Sequence, residues 1–185
     1  YLVESDWSAE RREDPGGRGL DVTAKLDREL VNHALEDCHA LAHLPGSVCF
    51  DVASARGVLS DPDAELPWTW PGPDRIDAAL ADAGVDQDSV VVLVARTPRE
   101  GIDSGTMWCT RAWWTLHHSG VDCRILRGGI ERWEAEGRPL TDEPTTVEPG
   151  TFRSVDGRVG ACAAKDDVRA ALEAGRSGVG GARAG

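Results

Sequence analysis

Between two polar stretches stand five consecutive apolar residues, Val90–Val94, four of them β-branched. Apolar at odd and even positions alike, the run predicts a strand buried on both faces, the signature of a parallel sheet. Around it the pattern alternates. Asp74 to Ala83 carries Ile76, Ala79 and Leu80 on one helical face and stops at Gly84. Thr106 to His118 carries Met107, Trp108, Ala112 and Leu116, with Thr106 as the predicted cap. Val121 to Leu126 reads as the next strand, and Ile130 to Glu136 as a helix ended by Gly137. Short connections between these elements predict right-handed crossovers and an α/β fold: a mainly parallel sheet with helices on both faces.

The first seventy residues are less regular. Ser5 to Glu13 reads as a short helix, Gly19 to Thr23 and Val48 to Val52 as strands, and the spacing of Leu30, Ala34 and Leu35 predicts a helix over 26–38. Residues 53–73 hold no long periodic run and read as an excursion packed by its own tryptophans. Thr141 to Gly150 is a Pro/Thr/Glu linker by composition. Lys165 to Ala174 is one more helix, and 175–185 dissolve into Gly, Ala, Arg and Ser.

In open α/β sheets, ligands bind beyond the carboxyl ends of the strands. The Pro/Gly/Asp-rich stretch from Ala95 to Gly105, directly after Val94, is therefore where chemistry is expected. A net charge of −12 argues against a nucleic-acid or anionic-membrane partner, which would require clustered cations. No stretch approaches the roughly 18 apolar residues that span a bilayer. The five cysteines are odd in number and lack CxxC spacing, so neither a disulfide scaffold nor a zinc ribbon is supported, and reduced thiols in a cytoplasm fit best.

Several motifs, in order, resemble the rhodanese-type sulfurtransferases, in particular the first half of a tandem two-domain member. They are Leu20-Asp-Val22, the turn Ala42-His-Leu-Pro-Gly-Ser47, Leu59-Ser-Asp-Pro-Asp63, Arg111-Ala-Trp-Trp114, Leu126-Arg-Gly-Gly-Ile-Glu-Arg-Trp133 and Glu136-Gly-Arg-Pro-Leu140. The resemblance implies a rhodanese-like domain over 1–141, a linker over 142–151, and over 152–185 the start of a second such domain that breaks off early. Asp167-Val-Arg-Ala-Ala-Leu172 is similar to that domain's first helix. The resemblance further implies transfer of sulfane sulfur from a small anionic donor, thiosulfate or 3-mercaptopyruvate, through a cysteine persulfide to a thiophilic acceptor, without cofactor or metal. In tandem members the nucleophile lies in the second domain on a CRxGxR loop, which this sequence does not contain. A catalytic rhodanese domain is thus an expected partner.

The nucleophile must be a thiolate, its pKa lowered by cations or a helix N-terminus. Where a catalytic loop would begin with Cys, this chain has Ala95. Cys109 is the nearby candidate: with Thr106 as cap it falls in the first helical turn, where the dipole favours a thiolate. The alternative is a small buried filler before a tryptophan pair. Arg111 is a candidate for donor binding, although two residues along a helix do not share its face. Arg183 matches a second-domain arginine near the family's active site, while Gly181 departs from the expected Asp. Arg96, Arg99, Arg111, Arg124 and Arg127 either rim the strand ends for an anionic donor or form a solvated mixed-charge face. A phosphatase of the related fold needs Cys, five residues, then Arg; Cys49 and Arg56 are separated by six, Cys123 and Arg127 by three, so no cysteine fits. What stays open is a sulfurtransferase against a non-catalytic rhodanese-like module that packs on a catalytic domain or partner protein.

Overall fold

The computed structural model describes residues 1–155 and 162–175. Five parallel strands form one sheet in the order β1-β5-β4-β2-β3: β1 (Leu2–Val3), β2 (Gly17–Asp21), β3 (Ser47–Cys49), β4 (Val90–Val94) and β5 (Asp122–Leu126). In the centre Gly19 pairs with Val92, and Val92 with Arg124. The helices are α1 (Ser5–Glu13), α2 (Pro73–Asp82), α3 (Gly105–His118), α4 (Gly129–Ala135) and α5 (Lys165–Glu173).

The all-apolar β4 is explained by its position. Side chains alternate across a strand, so Val91 and Leu93 enter a core with Ile76 and Leu80 of α2 and Trp108, Ala112 and Leu116 of α3. Val92 and Val94 enter a second core with Ile130 and Trp133 of α4, against which Trp7 and Ala9 of α1 pack. Helices therefore cover both faces, as the run of valines predicts.

Two expectations are corrected. Residues 26–38 do not form a helix. Asp27 Oδ1 accepts the N–H groups of Glu29 (3.0 Å) and Val31 (2.9 Å), and Asn32 Oδ1 those of Lys25 (2.8 Å) and Ala34 (3.1 Å). These short polar side chains take donors that a helix would use. Leu26 bridges Asn32, Leu30 is left-handed, and a single π-helical turn remains at Leu35–His39. In addition, α3 is capped by Ser104, whose Oγ accepts the Met107 N–H at 3.2 Å, and not by Thr106. The helix therefore starts earlier, and Cys109 lies beyond its first turn.

The Pro/Thr/Glu stretch ends on the body of the domain. Gly150 N–H donates to Ala81 O at 2.8 Å, Phe152 N–H to Val85 O at 3.1 Å, and Val155 N–H to Ser119 O at 3.0 Å. A Cβ on Gly150 would stand 2.1 Å from Val85 O, so only glycine allows this approach. Phe152, 1% exposed, belongs to the α2–α3 core. Helix α5 has no buried residue.

Candidate active site

Beyond the carboxyl ends of β4 and β5 lies a cleft of about 340 Å³, lined among others by Ala95, Thr97, Cys109, Arg127, Gly129 and Glu131. The loop from Ala95 and the N-terminus of α4 form its floor. Ile130 N–H donates to Ala95 O at 3.0 Å. Gly129 has φ +63°, and a Cβ there would lie 2.4 Å from Ala95 O, so the glycine pair is what lets α4 close on the strand end. Arg96 N–H donates to Thr23 Oγ1 at 2.9 Å, fixing the loop to the end of β2.

This floor is not an open anion cradle. The Thr97 N–H donates to the Glu131 carboxylate at 2.6 Å. A donor that could hold a sulfur oxyanion thus holds the protein's own acid, which brings negative charge into the cleft. The arginines around the strand ends are paired as well. Arg96 meets Glu134 at 3.1 Å, Arg99 meets Asp103 at 2.8 Å, Arg127 meets Glu4 at 2.8 Å, and Arg124 meets Asp122. They build a mixed-charge surface in place of a positive rim.

Cys109 lines the cleft but is buried, and that burial, with a smaller contribution from the Asp21 charge, pushes its thiol up to about 12. Burial also pushes Cys49 and Cys123 up to about 12 and raises Cys38. Cys162 is exposed, ahead of α5. Arg111 does not join Cys109; it lines a different cleft, against Trp68, Trp70 and Trp114. Arg183 lies outside the described residues.

One polar cluster escaped sequence reasoning. Asp21, 1% exposed at the end of β2, accepts from Thr23 N–H at 3.0 Å and Thr23 Oγ1 at 2.5 Å, and its other oxygen lies 2.8 Å from His39 Nδ1. His39 stacks on His43 with ring centroids 3.9 Å apart, and His43 Nδ1 lies 2.6 Å from His39 O. Since a carbonyl only accepts, Nδ1 of His43 carries the proton. Through Thr23 Oγ1 the cluster supports the loop after β4. Its available signal was the Asp-x-Thr spacing at a strand end, which marks an Asx turn.

The chain is 31% identical over 157 residues to the 3-mercaptopyruvate sulfurtransferase of Escherichia coli strain K12, covering 83% of this chain and 51% of that protein. It is 30% identical over 164 residues to the thiosulfate sulfurtransferase of Bos taurus, covering 83% and 49%. The crystal structure of SseA from Escherichia coli, described as showing the rhodanese fold of 3-mercaptopyruvate sulfotransferases, superposes with a TM-score of 0.75 at 28% identity, over 94% of this chain and 62% of that one. The chain belongs to the rhodanese-like sulfurtransferase family. No family model matches it. This rhodanese-like chain spans about half the length of the curated relatives it matches. Among its described residues no helix is long and apolar enough to cross a membrane.

Proposed function

We propose that this chain is the supporting unit of a sulfurtransferase of the thiosulfate/3-mercaptopyruvate class, and that the sulfur-carrying thiolate belongs to a second rhodanese-like domain. The observation that carries this reading is Ala95 at the end of β4 with Glu131 on the Thr97 N–H: the place for nucleophile and anion holds neither a thiol nor a free cradle. In the reaction, a cysteine thiolate attacks the outer sulfur of thiosulfate, the S–S bond breaks, and sulfite leaves with the electron pair. A thiophilic acceptor, cyanide in the assay below, then attacks the outer sulfur of the persulfide, and the cysteine thiolate leaves with the electron pair of the broken S–S bond. The first step needs a thiolate near neutral pH and the second expels one, and the thiols of Cys109, Cys123 and Cys49, raised to about 12, suit neither role.

The test is thiocyanate formation from thiosulfate and cyanide. The chain alone and its Cys109→Ala variant are expected to be inactive, while a separately produced rhodanese domain with a CRxGxR loop turns over faster when the chain is added. Activity of the chain alone that Cys109→Ala abolishes would overturn the proposal and make Cys109 the nucleophile. No stimulation of any catalytic rhodanese domain, by either donor, would favour a module with another partner.

A further inference from the structure

The cleft that holds Arg111 shares no lining residue with the β4–β5 cleft. It has a volume of about 420 Å³, within the range of small-molecule sites. Trp68, Trp70, Trp114 and Met107 line it together with Thr110 and Thr115, and Arg111 is its cationic group.

Among the described residues Arg111 is held by neutral oxygen acceptors alone. Its Nη2 is anchored by three acceptors, Leu59 O at 2.9 Å, Trp68 O at 3.2 Å and Ser60 Oγ at 3.3 Å. Its Nε is buried without a hydrogen-bond partner, and its Nη1 donates to nothing among the described residues. Among the described residues no carboxylate pairs with it, whereas Arg96, Arg99, Arg124 and Arg127 all have one. Burial without a counter-charge disfavours the guanidinium and lowers its pKa. A charge so held is stabilised by an anion from outside.

The aromatic wall is held at a cost to its backbone. Trp68 has φ +56°, a left-handed conformation rare for a bulky residue. Its N–H donates to Ala55 O at 3.1 Å, its indole Nε1 to Ala53 O at 2.9 Å, and its carbonyl accepts from Arg111. Strain fixed from three sides is characteristic of ligand sites. Trp114 is 44% exposed, so an indole ring stands open toward the cleft's solvent side. Its ring centroid lies 4.1 Å from that of His118.

From this geometry we infer that the Trp68–Trp70–Trp114 cleft is a binding site for an aromatic monocarboxylate, its carboxylate on Arg111 and its ring between the indoles. One guanidinium and no second cation in the lining select a single negative charge, and flat indole walls select a flat apolar body. The inference does not rest on the sulfur-transfer reading, because no cysteine takes part.

The test uses phenylacetate as probe and phenylacetamide as its uncharged counterpart, followed by the indole N–H signals of the ¹⁵N-labelled chain. Phenylacetate is expected to shift the signals of Trp68, Trp70 and Trp114 saturably, leave those of Trp7 and Trp133 in place, and bind about tenfold tighter than the amide. Trp114→Ala and Trp70→Ala, each with the wild-type melting temperature, should weaken binding about fivefold or more. Arg111→Met should bring acid and amide close together, since it removes the cation that the carboxylate meets. The inference is overturned by absent saturation, by equal affinity for acid and amide in the wild type, by tryptophan variants that bind as wild type, or by shifts confined to residues 95–109.

Discussion

The Glu131 carboxylate and the Thr97 backbone N–H meet at 2.6 Å in the floor of the β4–β5 cleft. The contact joins the first turn of α4 to the loop after β4 and spends on an internal acid a donor that an anion site would leave open. Glu131→Ala should therefore increase thiosulfate or sulfate binding at the loop, read as an anion-dependent shift of the Thr97 amide signal. Loss of the charge-assisted hydrogen bond should also destabilise the domain by about 1 kcal/mol. An anion affinity equal to wild type would show that Glu131 does not guard the loop.

Reactivity follows burial. The Cys109 and Cys123 thiols, pushed up to about 12 by desolvation, expose almost no thiolate at pH 8, and both side chains are buried. Cys162 is exposed. Limiting iodoacetamide on the native chain should alkylate Cys162 first and leave Cys109 and Cys123 unmodified until denaturant is added. Peptide mass spectrometry reads the order directly, and early labelling of Cys109 would reverse the assignment.

Phe152 lies beyond the Pro/Thr/Glu stretch yet sits in the α2–α3 core. Phe152→Ala should destabilise the domain by about 3–5 kcal/mol in urea unfolding, the range of a large aromatic deletion from a core. A loss under 1 kcal/mol would mean that the segment from 150 to 155 contributes no packing to the first unit.

The turn at residues 27–33 carries a pH signature. His33 Nε2 lies 2.8 Å from Asp27 Oδ2; the hydrogen bond to Asp27 raises the His33 pKa above 6.5, and the same bond lowers that of Asp27 below 3.8. The raised histidine stabilises fully below its unfolded pKa and loses this as pH rises through the folded value. The lowered carboxylate stabilises above its unfolded pKa and loses this as pH falls through the folded value. Their joint contribution is therefore present between about pH 4 and 6.5 and falls on either side. An NMR titration should give a His33 pKa that drops to its ordinary value in Asp27→Asn; a titration unchanged by the substitution would exclude the pair.

Much of the fold was legible because its signals are local. Val90–Val94 announced a strand covered on both faces, and Gly84 and Gly137 marked chain reversals where the left-handed φ of each is now seen. The helix expected over 26–38 failed where Asp27 and Asn32 outbid the backbone for its own donors, a competition that apolar spacing does not register. The loop from Ala95 was read correctly as the place beyond the strand end, and the absence of a cysteine there was plain in the sequence.

What the sequence determined by itself was the family, through motifs in fixed order, and the layered α/β architecture, because side-chain periodicity reports which faces must leave water. Only the tertiary structure decided the use of each charge. Arg111 and Cys109 are two residues apart but line different clefts, since about 100° per residue turns such neighbours to opposite sides of a helix. Thr97 and Glu131 are far apart in the chain, yet parallel strands bring their ends to one edge. Pairing across such distances depends on the packed geometry, so the acid on the Thr97 N–H and the arginine that meets no carboxylate among the described residues became visible only in the fold.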